Sequence, residues 1–325
     1  MTYCDSEGVF GEMKLRRSLR NNYALAGVLE AILLIALVAI ILSIIQLYYV
    51  PVIMEQKEAD HMDQVANQFS QLKSVIEIQS MMGAQPTTQP IVYSPMSSPI
   101  TLGSMELPYF VSARSHGHIT IIDQDDATSG NHIINIQPGP NPFASGIPLT
   151  SIKYRATNFY YPTEHWQEYI LEGGGIILKQ SDGEVMRIIP GISVENHTDQ
   201  NYLTIKYFVP IFNGYEGKKI YGHWEDCYIY TNFSSAHQDN VTLTVGNGGF
   251  MKFATDYPNA WNDAFVNETR GILYEYNQTY LNVNIDDSAS PNEVIITPVV
   301  GCDILLVLTM VELYAQVGPG VVYTN

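Results

Sequence analysis

The sequence predicts an α+β protein in which a long N-terminal transmembrane and stalk α-helix is followed by an antiparallel β-sandwich or barrel-like head domain. Three observations carry that prediction. Residues 24–50, ALAGVLEAILLIALVAIILSIIQLYYV, are almost wholly apolar. Residues 51–82 are charged and helix-favouring, with Met62, Val65, Phe69, Leu72 and Ile76 recurring at helical spacing. From residue 105 to 325, short β-branched and aromatic runs alternate with turn clusters.

The first segment, residues 1–23, is a basic N-terminal piece carrying Lys14, Arg16, Arg17 and Arg20 just before the apolar run. Only Lys57 lies close on the other side, so the charge bias keeps the N-terminus cytoplasmic and exports the rest. A bilayer core of about 30 Å takes roughly 20 apolar residues as a helix, which residues 24–50 exceed. Tyr23, Tyr48 and Tyr49 stand at its ends, where interfacial aromatics are expected. The expected location is therefore a cell membrane, with a single pass and an extracellular C-terminal domain. Membrane lipid is the first expected partner.

The run contains one carboxylate, Glu30, which is costly in lipid unless it snorkels, is protonated or finds a partner. The stripe from Met62 to Ile76 has two readings: one side of the helix packs on the following domain, or stalks self-associate. Residues 83–104 are rich in Pro, Ser and Thr and carry no charge, which reads as a connector. Ile91, Val92, Tyr93, Ile100 and Leu102 suggest instead a loop laid along the head.

Fifteen strands are expected in the head. They are Tyr109–Ala113, His118–Ile122, His132–Ile136, Ile152–Ala156 and Glu168–Leu171, then Gly175–Lys179, Val185–Ile189, Leu203–Val209, Ile220–Tyr230 and Val241–Val245. Leu273–Tyr276, Leu281–Ile285, Glu293–Pro298, Leu305–Tyr314 and Val321–Tyr323 complete the set. A short surface helix is expected over Ala260–Glu268, capped by Asp256 or Asn259.

The formal net charge is -17, and after residue 50 there are 12 Lys+Arg against 29 Asp+Glu. Such a surface repels phosphate backbones, so no nucleic acid partner is expected. Cys4 precedes the span, while Cys227 and Cys302 follow it, leaving either a Cys227–Cys302 disulfide or two buried thiols. Five Asn-x-Ser/Thr sequons, at Asn196, Asn232, Asn240, Asn267 and Asn277, all lie after the span as candidate N-glycosylation sites.

No cofactor is expected, with calcium a minor alternative. Asp123, Asp125 and Asp126 form an acidic turn with oxygens at ligand-like spacing, but the loop pattern and its final bidentate Glu are missing. Asp286, Asp287, Asn292 and Glu293 make a poorer case, and His116 with His118 gives only two metal ligands. There is no Gly-x-Ser-x-Gly, His-Glu-x-x-His, phosphate loop or dinucleotide fingerprint. No enzymatic activity is expected.

Two stretches resemble a known family. GVLEAILLIALVAIILS is similar to the N-terminal helix of archaeal type IV pilin-like and archaellin-like exported proteins, in which Gly-Val-x-Glu precedes an Ala/Leu/Ile/Val run. The bent pilin helix, whose second half lies against a β head, resembles the layout of residues 24–82. The segment from Asn158 to Arg187, NFYYPTEHWQEYILEGGGIILKQSDGEVMR, resembles a hairpin of such domains, with Leu171 where that pattern has Tyr. The resemblance implies that residues 1–23 belong to a prepilin leader, with Gly27 and Val28 in the processing region. It implies that Glu30 sets register against the amino terminus of a neighbouring subunit. Prepilin peptidase and the pilus assembly machinery are the partners it implies, with self-association through the N-terminal helix. Ala26 stands where the family has a base, which keeps a second reading open: a monomeric, single-pass anchored domain for binding or adhesion.

Overall fold

The computed structural model describes residues 10–83, 94–104, 115–138, 146–158, 166–198 and 201–318, with side chains from Leu25 onward. The chain divides into two units, one holding the helix as far as Glu55 and one beginning at Gln56.

In the first unit, α1 spans Phe10–Ile44, so the helix extends back through the basic segment. A π-helical turn, Ile45–Tyr49, leads into α2, Val50–Gly83. Pro51 explains that turn. Its ring clashes with the carbonyl four residues back and it has no N–H to donate, so the wider turn lets the helix continue. One helix here, described from Leu25 to Gly83, is long and apolar enough to cross a membrane, and its most apolar window has none of its residues buried.

Among the described residues the second unit has sixteen strands. The first eight are β1 (Met96–Thr101), β2 (His116–Ile122), β3 (Ile133–Gln137), β4 (Ile147–Pro148), β5 (Ser151–Thr157), β6 (Gln167–Glu172), β7 (Gly175–Gln180) and β8 (Gly183–Ile188). Then come β9 (Ile192–His197), β10 (Tyr202–Gly214), β11 (Ile220–His223), β12 (Asp226–Thr244), β13 (Phe250–Thr255), β14 (Leu281–Asp286), β15 (Asn292–Pro298) and β16 (Asp303–Gly318). Two short α-helices, α3 (Gln124–Ser129) and α4 (Pro258–Val266), accompany the strands among the described residues.

The strands form three sheets: β1-β12-β16-β10-β9, β11-β2-β5-β6-β7-β8 and β14-β15-β13-β3-β4. Pairing is antiparallel except for β10 with β16, which run parallel from Tyr202↔Asp303 to Gly214↔Ala315. The long strands of the first sheet serve two cores. Ile304, Leu306 and Leu308 face one, together with Trp261 and Phe265 of α4 and the β13–β15 sheet. Val311, Leu313, Ala315 and Val317, of opposite parity, face the other.

That second core is where α2 belongs. Met62, Val65, Phe69, Leu72 and Ile76 are all at most 4% exposed and pack with Ile119, Tyr154 and Tyr169. Within the head, residues 56–83 are therefore a core element, not a free stalk. Polar contacts fix the register: Gln79 Nε2 donates to the Thr231 carbonyl (2.9 Å), Thr231 Oγ1 donates back to Gln79 Oε1 (2.8 Å), and Lys73 Nζ donates to the Gly174 carbonyl (2.8 Å).

Several expectations are corrected. The connector assigned to 83–104 ends early, since Met96–Thr101 is strand β1 paired to β12, with Ile100 buried. The single strand expected over Ile220–Tyr230 is divided between β11 and β12, and Val241–Val245 is no separate strand but the end of β12 extended by a 3₁₀ turn. Leu273–Tyr276 closes on α4 as a 3₁₀ turn, Leu273 N–H donating to the Phe265 carbonyl (2.8 Å). Neither Asp256 nor Asn259 caps α4; the Glu184 carboxylate accepts the Asn259 N–H (2.8 Å) from across the β7–β8 hairpin. Tyr109–Ala113 and Val321–Tyr323 lie outside the described residues. The hairpin expected from Gly173 to Met186 is present: Gly173 and Gly174 take positive φ in the β6–β7 turn, Ile176, Ile177 and Leu178 are buried, and β8 pairs back on β7.

Candidate functional site

The first candidate surface is the apolar helix, a candidate membrane span. Leu25, Val28, Leu29, Ile32, Leu33 and their successors to Ile44 stand exposed on every side of the helix, at 46–71%. Contiguous apolar surface on that scale marks a lipid or protein contact. Gly27 has open space around its Cα, and Glu30 is the one carboxylate among these exposed side chains.

The acidic turn is a helix cap. Asp123 is the N-cap of α3, accepting the Asp126 N–H at 3.1 Å. Lys219 places its ammonium 2.5 Å from Asp123 Oδ2 and 3.0 Å from Asp126 Oδ2, where a cation between these carboxylates would sit. Burial works to raise the Asp123 carboxyl, but Lys219 and the Asp126 N–H outweigh it and hold it below the usual range. Asp125 is exposed in the first turn. Among the described residues, no group of three or more His, Cys, Asp or Glu could hold a metal ion. His116 and His118 project from alternate, exposed positions of β2. Asp286 is spent on a turn, accepting from Ser288 N–H (3.0 Å) and Oγ (2.6 Å).

The disulfide is ruled out by register. Cys227 lies beside Tyr228↔Gly318 at one end of the β12–β16 ladder, and Cys302 beside Thr244↔Asp303 at the other. At about 3.3 Å per residue the two are roughly 50 Å apart, against the roughly 7 Å limit for a bridge. Both are buried free thiols, and burial pushes Cys227 up to about 12, which keeps it unreactive.

The five sequons differ in access. Asn196 on β9 and Asn240 on β12 are exposed, while Asn232, Asn267 and Asn277 are half-buried. The Asn267 amide is engaged, donating to Asp263 Oδ1 (2.6 Å) while its Oδ1 accepts from Thr269.

A polar cluster at the junction of two sheets and α4 gave no sequence signal, because its members are scattered from residue 132 to 261. Glu172, 2% exposed, accepts from Thr255 Oγ1 (2.7 Å) and Trp261 Nε1 (2.9 Å). Burial pushes its carboxyl up, and those two donors only partly oppose this. Its accepting oxygen is spent on Thr255 and Trp261, so it positions α4. Nearby, His132 Nε2 lies 3.1 Å from Asp256 Oδ1, an ion pair off the line of a good hydrogen bond. The Asp256 carboxylate raises His132, and His132 in turn holds Asp256 down to about 2.

The outer face of the β1–β12–β16 region is rich in tyrosine. Register sets Tyr228, Tyr230 and Asn232 on the same face as Gly318, Gln316 and Tyr314. Tyr228 and Tyr230 have centroids 6.0 Å apart, and Tyr215 lies 5.5 Å from Tyr314. A cleft of about 320 Å³ opens beside them, lined by Lys218, Ile220, Tyr221, Tyr230 and Gln316. A larger, mostly apolar groove of about 510 Å³ lies between Ser80 and Met81 of α2 and Ile192, Lys206 and Phe208.

No protein-family model, curated protein or solved structure matches this chain.

Proposed function

We propose that this protein is a type IV pilin-like structural protein of the archaeal cell surface, either a filament subunit or a minor, anchored relative. One observation carries the reading. The same helical path is bare and apolar over residues 25–44, then supplies the Met62–Ile76 stripe to the core of a β head. A helix used only as an anchor has no need to enter the core of the domain it carries. A pilin-like subunit does, because one helix then serves both the bundle and the head. In this reading the apolar helices pack together after leaving the lipid, and Glu30 sets their register. Prepilin peptidase and the assembly machinery act on the segment around Gly27 and Val28.

The topology proposed is N-terminus cytoplasmic and head outside, from the bias of Lys14, Arg16, Arg17 and Arg20. Glycosylation belongs to the same reading, with Asn196 and Asn240 the sequons best exposed. A second reading, a monomeric anchored display domain, is favoured by Ala26 in place of a base before Gly27.

The test is the N-terminal residue of the native protein, by mass spectrometry of a purified surface fraction. A start at Val28, or within a few residues of it, is expected. A start at Met1 or Thr2 would discard polymerisation and leave the anchored display domain.

A further inference from the structure

We infer that the tyrosine-rich outer face of the first sheet is a binding site for neutral saccharide. The inference goes beyond the filament reading and is independent of whether the helix polymerises.

The chemistry comes from what the face exposes and leaves unspent. Tyr228 and Tyr314 are 39% and 40% exposed although they sit on strands whose other faces are core. Side chains of this size, presented in ringed pairs 5.5–6.0 Å apart, offer flat apolar surfaces with a hydroxyl at the rim. A pyranose ring has the matching duality: an apolar C–H face and a girdle of hydroxyls that need donors and acceptors.

The amides supply them. Gln316 is 3% exposed and lines the cleft beside Tyr230. Asn232 Oδ1 is buried and unpartnered. Buried polar atoms in native proteins are nearly always hydrogen-bonded, so the unspent Asn232 oxygen asks for a partner, while Gln316 lines the neighbouring cleft. The cleft between Tyr221 and Tyr230, about 320 Å³, lies at the small end of the range for ligand sites and suits one or two sugar rings.

Charge decides against other ligands. In a chain of net charge -17, the face from Tyr228 to Tyr314 is built of tyrosines and amides, with the carboxylates of Asp226 and Glu312 at its rims and Lys218 beside the cleft. An anionic ligand would meet the acidic surroundings, and a strongly cationic one would find no carboxylate at the centre.

The test uses the full-length protein made without glycosylation, so that Asn232 carries no sugar, and held in a micelle of a detergent without a sugar headgroup. It is titrated with neutral hexaoses of mannose, glucose (α- and β-linked) and xylose, and followed by tyrosine fluorescence and saturation-transfer NMR. Saturable binding to at least one is expected, weakened about tenfold by Tyr230→Ala and by Tyr221→Ala, as loss of one aromatic contact implies, and retained in Tyr230→Phe. Gln316→Ala should weaken binding without changing the melting temperature. Absence of saturable binding to every hexaose overturns the inference, as does binding indifferent to Tyr230→Ala and Tyr221→Ala. If those variants instead abolish self-association, the face belongs to a second copy of this chain.

Discussion

Glu172 shows how one buried carboxylate becomes a pH-dependent element of stability. Its Oε1 holds Trp261 and Thr255, so removing the oxygen would loosen α4, yet the charge itself is unfavourable in that setting. Because burial raises its folded-state value above the ordinary 4.5, the folded chain keeps the proton that the unfolded chain has lost. Stability therefore falls as pH rises from about 4.5 through that raised value, then levels off. Glu172→Gln keeps the accepting oxygen and removes the titration. Its melting temperature should match the wild type near pH 4 and exceed it near pH 8, measured by circular dichroism across that range. Equal curves at both pH values would mean the carboxyl titrates normally.

At the scale of elements, α2 is the piece whose role the sequence disclosed best and whose setting it left undecided. The spacing of Met62, Val65, Phe69, Leu72 and Ile76 announces one apolar side, but the period is the same whether that side meets a sheet or another stalk. Here Phe69 is fully buried between Tyr154 and Tyr169, at 6.4 and 6.0 Å between centroids. Phe69→Ala should cost about 3–5 kcal/mol, and Ile78→Ala, at a 47% exposed position, within about 0.5 kcal/mol. Chemical denaturation of the two variants separates a core helix from a stalk, since a stalk would lose little in either case.

Elements the sequence concealed share a physical cause. β1 reads MSSPIT and pairs on one side only, so its Pro and Ser lie on a sheet edge that tolerates them. β9 is the opposite edge, and its alternation is short, since only Ile192 and Val194 pack against the core. β12 runs on through Ser234–Asp239 past a register shift between Phe233 and Ser235, yet both faces there are largely open to solvent. A strand without a buried side carries no period-two signature. The β6–β7–β8 hairpins were legible for the converse reason, as Gly173, Gly174 and Ser181-Asp182-Gly183 mark turns around a fully buried Ile176–Leu178 run.

At the scale of the whole molecule, the sequence specified the division into apolar helix and β head, but not what long-range pairing brings together. The aromatic face draws on residues from 215 to 318, and the Glu172 cluster on residues from 132 to 261, so neither forms a local motif. The two head cysteines make the same point. Nothing in their positions along the chain shows that the β12–β16 ladder holds them at opposite ends. Reducing agent should therefore leave the melting temperature of the intact protein unchanged. A drop of several degrees would reveal a bridge that this register forbids.

The parallel pairing of β10 with β16 also governs when the head can exist. β16 sits between β12 and β10, and both cores draw on it, through Ile304, Leu306 and Leu308 for one and Val311, Leu313 and Ala315 for the other. Until Asp303–Gly318 has arrived, β10 and β12 have no shared neighbour, and the α2 stripe lacks part of its cover. Under the proposed topology the chain must cross the membrane as an unfolded thread and condense only after β16 is through. That late closure leaves Met62–Ile76 uncovered throughout transit, a slow, non-local route that exposes the chain to aggregation and proteolysis on the way.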